Sequence, residues 1–297
     1  MERVIVVDEA GYSGFWLARW LAQRGVEPFV IQPSSVPVDR RRRRAKSDGI
    51  DAELLLRTLL AWLRGEPRVC SMVPIPAEAD EDARRAVRER EELIAERIAL
   101  TNRIGALLTT LGVRGYDPLR RDRRQRLDGV RTALGDPLPP HARAKIARVL
   151  DRLELVLAQT AELERRRDAV LNESTPGPAE RMIQHLVQLR GIGVPSATLL
   201  VRAAFVRPFS GGTKREQGIG RAGNARLRTV LVELAWIWQR YQPGSAIVGW
   251  FRDRLGGAAR RLRKVMVVAL ARKLLIALWR FATQGVIPKG AVLRPAA

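Results

Sequence analysis

Residues 3–33, RVIVVDEAGYSGFWLARWLAQRGVEPFVIQP, contain two short apolar runs separated by a segment with helical periodicity. The first run, RVIVVD at residues 3–8, is rich in β-branched side chains, and the second, PFVIQP, is bounded by Pro28 and Pro33. Between them, GFWLARWLAQRGV repeats its apolar residues at helical spacing and stops at Gly25. This strand–helix–strand order predicts a parallel α/β unit.

The composition indicates a polyanionic partner. The 297 residues include 53 Lys and Arg against 31 acidic residues, a formal net charge of +22. Solubility of a small domain needs only about 2–8 charges, so the excess predicts binding to DNA or RNA. A single cysteine, Cys70, excludes a disulfide framework and a thiolate zinc site.

We expect a cytoplasmic protein that associates with the nucleoid when it is bound to DNA. The N-terminus lacks the basic and apolar regions of a signal peptide. The apolar stretch 265–282 is interrupted by Arg272, Lys273 and Arg280, which predicts a buried core helix and no membrane contact.

The middle of the chain predicts two long helices. Residues 79–111 and 142–171 combine many charges with sparse aliphatic residues, and a connection rich in Pro and Gly joins them. This pattern favours an antiparallel arm or coiled coil, and the alternative is two solvated helices lying on a globular body. Residues 172–178, NESTPGP, have linker composition and predict a domain boundary.

An acidic constellation is the first candidate for chemistry. Glu9 ends a predicted strand, while Asp48 and Asp51 share the first turn of a predicted helix that runs to Gly65. Carboxylates that converge in this way suit a divalent cation such as Mg²⁺, although Asp48 as a helix cap and Asp51 paired with an arginine is the alternative. Cations that would hold a nucleic-acid backbone precede the helix: Arg40, Arg41, Arg42, Arg43, Arg44 and Lys46.

Two further segments carry candidate nucleic-acid contacts. In residues 188–203, QLRGIGVPSATLLVRA, the spacing of Gly191 and Gly193 predicts a helix–hairpin–helix turn whose backbone N–H groups approach a phosphate. In residues 209–238, Ser210 stands in glycine-rich surroundings and could act as a nucleophile toward a phosphodiester, with a Ser-Gly turn as the alternative. The cations of that segment are Lys214, Arg215, Arg221, Arg226 and Arg228. The tryptophans Trp236, Trp238, Trp250 and Trp279 are predicted to be core.

Taken in order, the stretches EAGY (9–12), RRAKSDGIDAELL (43–55) and RGIGVPSA (190–197), with SGG and REQGIGRAGNARLR between 210 and 228, resemble one family. They are similar to the transposases of the insertion sequence 110 family, also called DEDD transposases or the Piv/MooV recombinase group. No single motif carries this resemblance, which depends on the order and spacing of all of them.

The resemblance implies an α/β plus α fold in three parts: a partial RuvC-like (RNase H-type) domain at 1–75, a helical coiled-coil arm at 76–175, and a mostly helical C-terminal transposase domain at 176–297. It implies that Glu9, Asp48 and Asp51 bind Mg²⁺ and that Ser210 forms a covalent link to DNA. It also implies a structured guide (bridge) RNA encoded by the element and a homo-oligomer, either a dimer or a tetramer.

Two departures from the family pattern lead us to expect a defective copy. The first aspartate of the DEDD set belongs on an earlier strand, so we expect an N-terminal truncation. A helical segment with a motif like LASYAGL is absent before Ser210, so we also expect an internal deletion. The alternatives are a non-catalytic remnant that binds DNA or RNA, and a RuvC-like nuclease specific for DNA structure.

Overall fold

A computed structural model of the protein describes residues 3–11, 13–36, 48–66, 69–205, 224–256 and 260–295. The chain divides into two compact units, of which the first ends at Glu81 and the second begins at Asp82. The first unit is α/β and the second is almost entirely helical.

The first unit contains the predicted strand–helix–strand arrangement, and its two strands are parallel as expected. Glu9 at the end of the first strand lies opposite Ile31 at the end of the second. Ile31 is fully buried and Val30 is 4% exposed, so the second strand supplies much of the small core. The elements are β1 (Ile5–Glu9), α1 (Trp16–Ala22) and β2 (Glu27–Ile31).

The next helix, α2 (Asp48–Leu63), packs against β1. Near its C-terminal end the ring of Trp62 lies 5.2 Å from that of Phe29 in β2. Residues 71–73 then pair antiparallel with the free edge of β2. Because the parallel sheet of the described residues has two strands, the RuvC-like assignment stays a prediction.

The predicted pair of long helices is present as α3 (Glu78–Thr109) and α5 (Pro140–Leu171). These two helices and the connection between them are called the arm below, and a coiled coil stays a prediction. They run antiparallel, because Arg90 near the start of α3 pairs with Glu164 near the end of α5. A proline begins α5, where its fixed φ suits the first helical turn. The short helix α4 (Arg123–Asp128) lies in the connection. An apolar seam joins these helices: Leu93, Leu100, Ile104, Leu108, Leu127, Ile146, Val149, Leu150 and Leu153.

The five helices that follow α5 form a second apolar core. The last helix packs against three of the others, and Trp238 lies at the centre with 1% of its surface exposed. The Trp238 indole Nε1–H donates a hydrogen bond of 2.9 Å to Ser245 Oγ, which satisfies its only polar group. The helices are α6 (Pro178–Val187), α7 (Val194–Leu200) with a π-helical turn (Val201–Phe205), α8 (Ala225–Tyr241), α9 (Ala246–Leu255) and α10 (Arg260–Gln284).

The core prediction holds for Trp238 and is wrong for Trp236. Trp236 is 43% exposed, and the guanidinium carbon of Arg263 lies 5.5 Å from its ring centroid. Residues 265–282 lie within α10, whose inner face belongs to the core. None of the described helices is long and apolar enough to cross a bilayer.

Candidate catalytic and nucleic-acid sites

Glu9 lies at the C-terminal end of β1 and its side chain is exposed. The neighbouring Asp8 is half-buried, and its Oδ1 accepts a hydrogen bond of 2.8 Å from the backbone N–H of Glu9. Successive side chains of a strand point to opposite faces. Asp8 and Glu9 therefore do not lie on the same side of the sheet.

Asp51 lies in the first turn of α2 and is exposed, and α2 packs against the strand that carries Glu9. Among the described residues, neither Glu9 nor Asp51 forms an ion pair, so both carboxylates keep their oxygens available. The side chain of Asp48 lies outside the described set. In the described part of the chain no three acidic, histidine or cysteine side chains lie within reach of one metal ion. The donor chemistry suits Mg²⁺, which prefers carboxylate oxygen.

Ten further sequence-predicted residues fall on parts of the chain that the structure does not describe. These residues are the serine Ser210 and the basic residues Arg40, Arg41, Arg42, Arg43, Arg44, Lys46, Lys214, Arg215 and Arg221.

The turn at residues 188–193 joins α6 to α7, so two helices flank it as predicted. Its assignment as a helix–hairpin–helix stays a prediction. Gly191 has φ +91°, and a Cβ at this position would lie 3.1 Å from Tyr241 Cβ and 3.2 Å from Ile237 Cγ2. Only glycine combines this conformation with such close packing. Within the described chain, the backbone N–H groups of Gly191 and Gly193 donate no hydrogen bond, so both remain available to an acceptor from outside.

Three arginines from different segments surround this turn. Arg190, Arg240 and Arg294 line a hollow of about 540 Å³ together with Tyr241 and both glycines of the turn. The Arg294 guanidinium donates a hydrogen bond of 2.8 Å to the Ile192 carbonyl, which ties the C-terminal segment to the turn. Cations beside open N–H groups suit a phosphate.

Sequence reasoning missed Arg240 and Arg294 because neither belongs to the motif. They lie about 50 and 100 residues after the turn, and no local pattern distinguishes them from the many other arginines of the chain. Two different contacts bring them to the turn. An isolated bridge between Leu189 and Leu293 places Arg294 there, whereas Arg240 lies on α8, whose Ile237 and Tyr241 pack closely against Gly191.

The two other predicted cations within the described residues, Arg226 and Arg228, do not line this hollow. Arg226, in the first turn of α8, forms an ion pair of 3.1 Å with Glu91 of α3, which satisfies part of its charge. Arg228 is half-buried on the same helix. Whether either residue contacts nucleic acid stays a prediction.

A larger cleft of about 700 Å³ lies between α3, α5 and the helices that flank the turn. Its charges are mutually compensated: Arg202 pairs with Glu180 at 2.5 Å, and Arg90 pairs with Glu164 at 2.6 Å. Acids and bases alternate along its rim, so it is less suited to a polyanion than the hollow at the turn.

The sequence of this chain is similar to known transposases. Residues 2–112 match the family model described as Transposase, of the DEDD IS110 type, and residues 198–247 match the one described as Transposase IS116/IS110/IS902 family. The chain is 45% identical to "Putative transposase y4rJ" of Sinorhizobium fredii, over 98% of this chain and 80% of the relative. The aligned region spans 318 positions, more than the 297 residues of this chain, so the relative has residues within it that this chain lacks.

Two more distant relatives are also described as transposases. The chain is 26% identical to "Transposase for insertion sequence element IS1328" of Yersinia enterocolitica, over 95% of this chain and 85% of the relative. It is also 26% identical to "Probable family 20 transposase" of Pseudomonas aeruginosa, over 93% of this chain and 82% of the relative. Two family models match residues 2–112 and 198–247, and one relative is 45% identical over most of both chains. This chain therefore belongs to the IS110 family of insertion-sequence transposases.

Proposed function

We propose that this transposase cleaves and transfers DNA with Mg²⁺ as cofactor, Ser210 as nucleophile and a structured RNA encoded by the element as guide. The observation that supports nucleic-acid binding is the hollow at residues 188–193. It is lined by Gly191 and Gly193, whose N–H groups donate no hydrogen bond within the described chain, and by Arg190, Arg240 and Arg294. The family match supports the chemistry.

In this proposal the carboxylates of Glu9, Asp48 and Asp51 would hold the metal. Glu9 and Asp51 suit that role because both are exposed, they lie on elements that pack against each other, and neither is neutralised by an ion pair among the described residues. When bound, Mg²⁺ would offset the negative charge that develops on phosphodiester oxygens during strand cleavage.

Ser210 would form the covalent link. Its hydroxyl would lose a proton, its oxygen would bond to the phosphorus, and the departing sugar oxygen would take up a proton to leave as a free hydroxyl. Nearby cations of the same segment, Lys214 and Arg215, would stabilise the charge of the transition state. A homo-oligomer would bring the acids of one subunit to the serine of another.

A covalent-trapping experiment tests this function. The purified chain is mixed with Mg²⁺, RNA from the flanks of the element and labelled donor DNA, and the mixture is denatured and resolved by electrophoresis. An adduct in the wild type that is absent in Ser210→Ala, and absent when Mg²⁺ is replaced by a chelator, would support this function. It would also show that the two departures from the family pattern do not abolish the chemistry.

The same experiment separates the alternative functions. Cleavage that survives Ser210→Ala would overturn the serine mechanism in favour of a nuclease that uses the acids alone. Retention of DNA or RNA that falls steeply with salt, with no adduct, would identify a binding protein without the family's chemistry.

A further inference from the structure

One side of the arm carries a groove lined by cations. Arg103 of α3 and Lys145 and Arg152 of α5 border a groove of about 470 Å³ whose other lining residues are apolar or hydroxyl-bearing. These residues are Ala106, Leu107, Thr110 and Val149. The groove thus has three positive charges and no acid.

The three cations of this groove lack the acid partners that several other arginines of the arm have. Arg124 pairs with Asp151 and Glu154 at 2.6 and 2.7 Å. Arg123 shares Glu154, and Arg143 pairs with Asp128. Among the described residues, no such ion pair involves Arg103, Lys145 or Arg152, and all three side chains are exposed.

The spacing of these cations suits a run of phosphates. Lys145 and Arg152 are seven residues apart, so they lie on the same side of α5 about 10.5 Å from each other along the helix. That length is the axial span of about three steps between consecutive phosphates of one DNA strand, at about 3.4 Å for each step. Arg103 stands across the groove on α3, where it could contact the same strand from the other side.

We propose that this face of the arm binds the sugar-phosphate backbone of duplex DNA. We choose DNA as the partner because the chain belongs to a family of transposases. This choice does not depend on the roles proposed above for Mg²⁺ and Ser210. The arm would hold the duplex away from the reacting phosphodiester without reading its sequence, since phosphate contacts position a protein and base contacts specify it.

The test compares two variants from which the same charge is removed. The groove variant is Arg103→Gln, Lys145→Gln and Arg152→Gln. The matched control is Arg85→Gln, Arg165→Gln and Arg166→Gln, which removes three exposed arginines of α3 and α5 that are paired with Asp82 or Glu162. Binding of a labelled DNA duplex is measured by fluorescence anisotropy between about 50 and 200 mM salt, the range over which phosphate binding weakens most.

We expect the groove variant to bind at least about tenfold more weakly at low salt than the wild type. The slope of log affinity against log salt should shrink by about 0.9 for each phosphate that the variant no longer neutralises. The control variant should keep most of the wild-type affinity at low salt and most of the salt slope. Equal reductions in the two variants, an unchanged slope, or a reduction confined to an RNA duplex of the same length would overturn the proposal.

A second measurement does not depend on the folding of any variant. In the wild type, hydrogen exchange of residues 103–110 and 145–152 is compared with and without duplex DNA. Protection on these segments that is absent from residues 160–168 is expected, and uniform exchange along the arm would count against the proposal. Because neither experiment requires cleavage, a chain that forms no serine adduct could still pass both.

Discussion

The side-chain amide of Gln242 is hydrogen-bonded on both sides to the backbone of Val292, fifty residues later in the chain. Its Nε2 donates to the Val292 carbonyl at 2.8 Å, and its Oε1 accepts from the Val292 N–H at 2.7 Å. The same Nε2 also donates to the Arg190 carbonyl at 2.9 Å. One fully buried side chain therefore joins the end of α8, the hairpin turn and the C-terminal segment.

Replacing Gln242 by Leu should lower the free energy of unfolding by about 1–3 kcal/mol, because the Val292 N–H and the Arg190 carbonyl lose their partner. The Val292 carbonyl keeps its hydrogen bond from the Arg190 N–H. Urea unfolding measures this, and limited proteolysis should show faster cleavage near residue 292. The control is Gln239→Leu, since Gln239 is only half-buried and bonds the Ala235 carbonyl of its own helix. A similar cost for both variants would contradict the role assigned to Gln242.

Gly191→Ala should destabilise the protein by about 1–2 kcal/mol from its left-handed backbone alone, with a further cost from contact with Tyr241 and Ile237. Gly193→Ala is the matched control. Its φ is −95°, and its Cβ would meet only Pro195 Cδ at 3.7 Å. Thermal unfolding of the two variants should therefore differ clearly, and equal melting temperatures would show that the turn relaxes around the added methyl group.

Arg240→Gln should weaken binding to duplex DNA at low salt and reduce the salt slope by about 0.9, as expected when one phosphate is no longer neutralised. Arg240 is exposed and lines the hollow at the turn, so its removal should leave the melting temperature nearly unchanged. Arg280→Gln is the control, since Arg280 is an exposed residue of α10 that does not line the hollow. If both variants bind alike, the hollow is not a phosphate site.

Hydrogen bonds from Arg124, followed by those from Arg123, hold the pKa of the Glu154 carboxyl below its ordinary value of 4.5. A depressed pKa in the folded state stabilises the protein above the unfolded pKa, and this contribution is lost as the pH falls through the folded value. Because Glu154 is about one-third exposed, we expect only about 0.5–1 kcal/mol at neutral pH.

Urea unfolding at a series of pH values checks this contribution. Below pH 4.5 the stability of the wild type should fall more steeply than that of Glu154→Gln. Glu96→Gln serves as the control, because Glu96 is exposed on α3 and forms no ion pair among the described residues. A wild-type curve parallel to that of Glu154→Gln would show that the arginines contribute nothing to the stability of the arm.

The local elements of the fold were predictable from the sequence. The run at residues 3–8 and the second run after Pro28 form parallel strands, with a helix between them that ends just before Gly25. Both long helices of the arm lie within two residues of their predicted limits. These features follow from periodicity and from the conformational limits of proline and glycine, which act over a few neighbouring residues.

The composition of the sites depended on contacts between distant segments. The hairpin turn was recognisable from Gly191 and Gly193. Arg294 joins it because the C-terminal segment pairs with it, and Arg240 and Gln242 join it because the end of α8 packs against it. The exposure of Trp236 was likewise wrongly predicted, since a helix of mixed polarity does not reveal which side faces the core.

The sequence by itself determined the helices, the parallel strand pair, the hairpin turn and the family, because each depends on residue types in a local order. For the described residues, only the tertiary structure decided which basic side chains are neutralised by acids and which are left facing solvent. The reason is physical: the charge of a side chain is set by its own chemistry, whereas its electrostatic compensation depends on which distant acids the fold brings within a few ångströms.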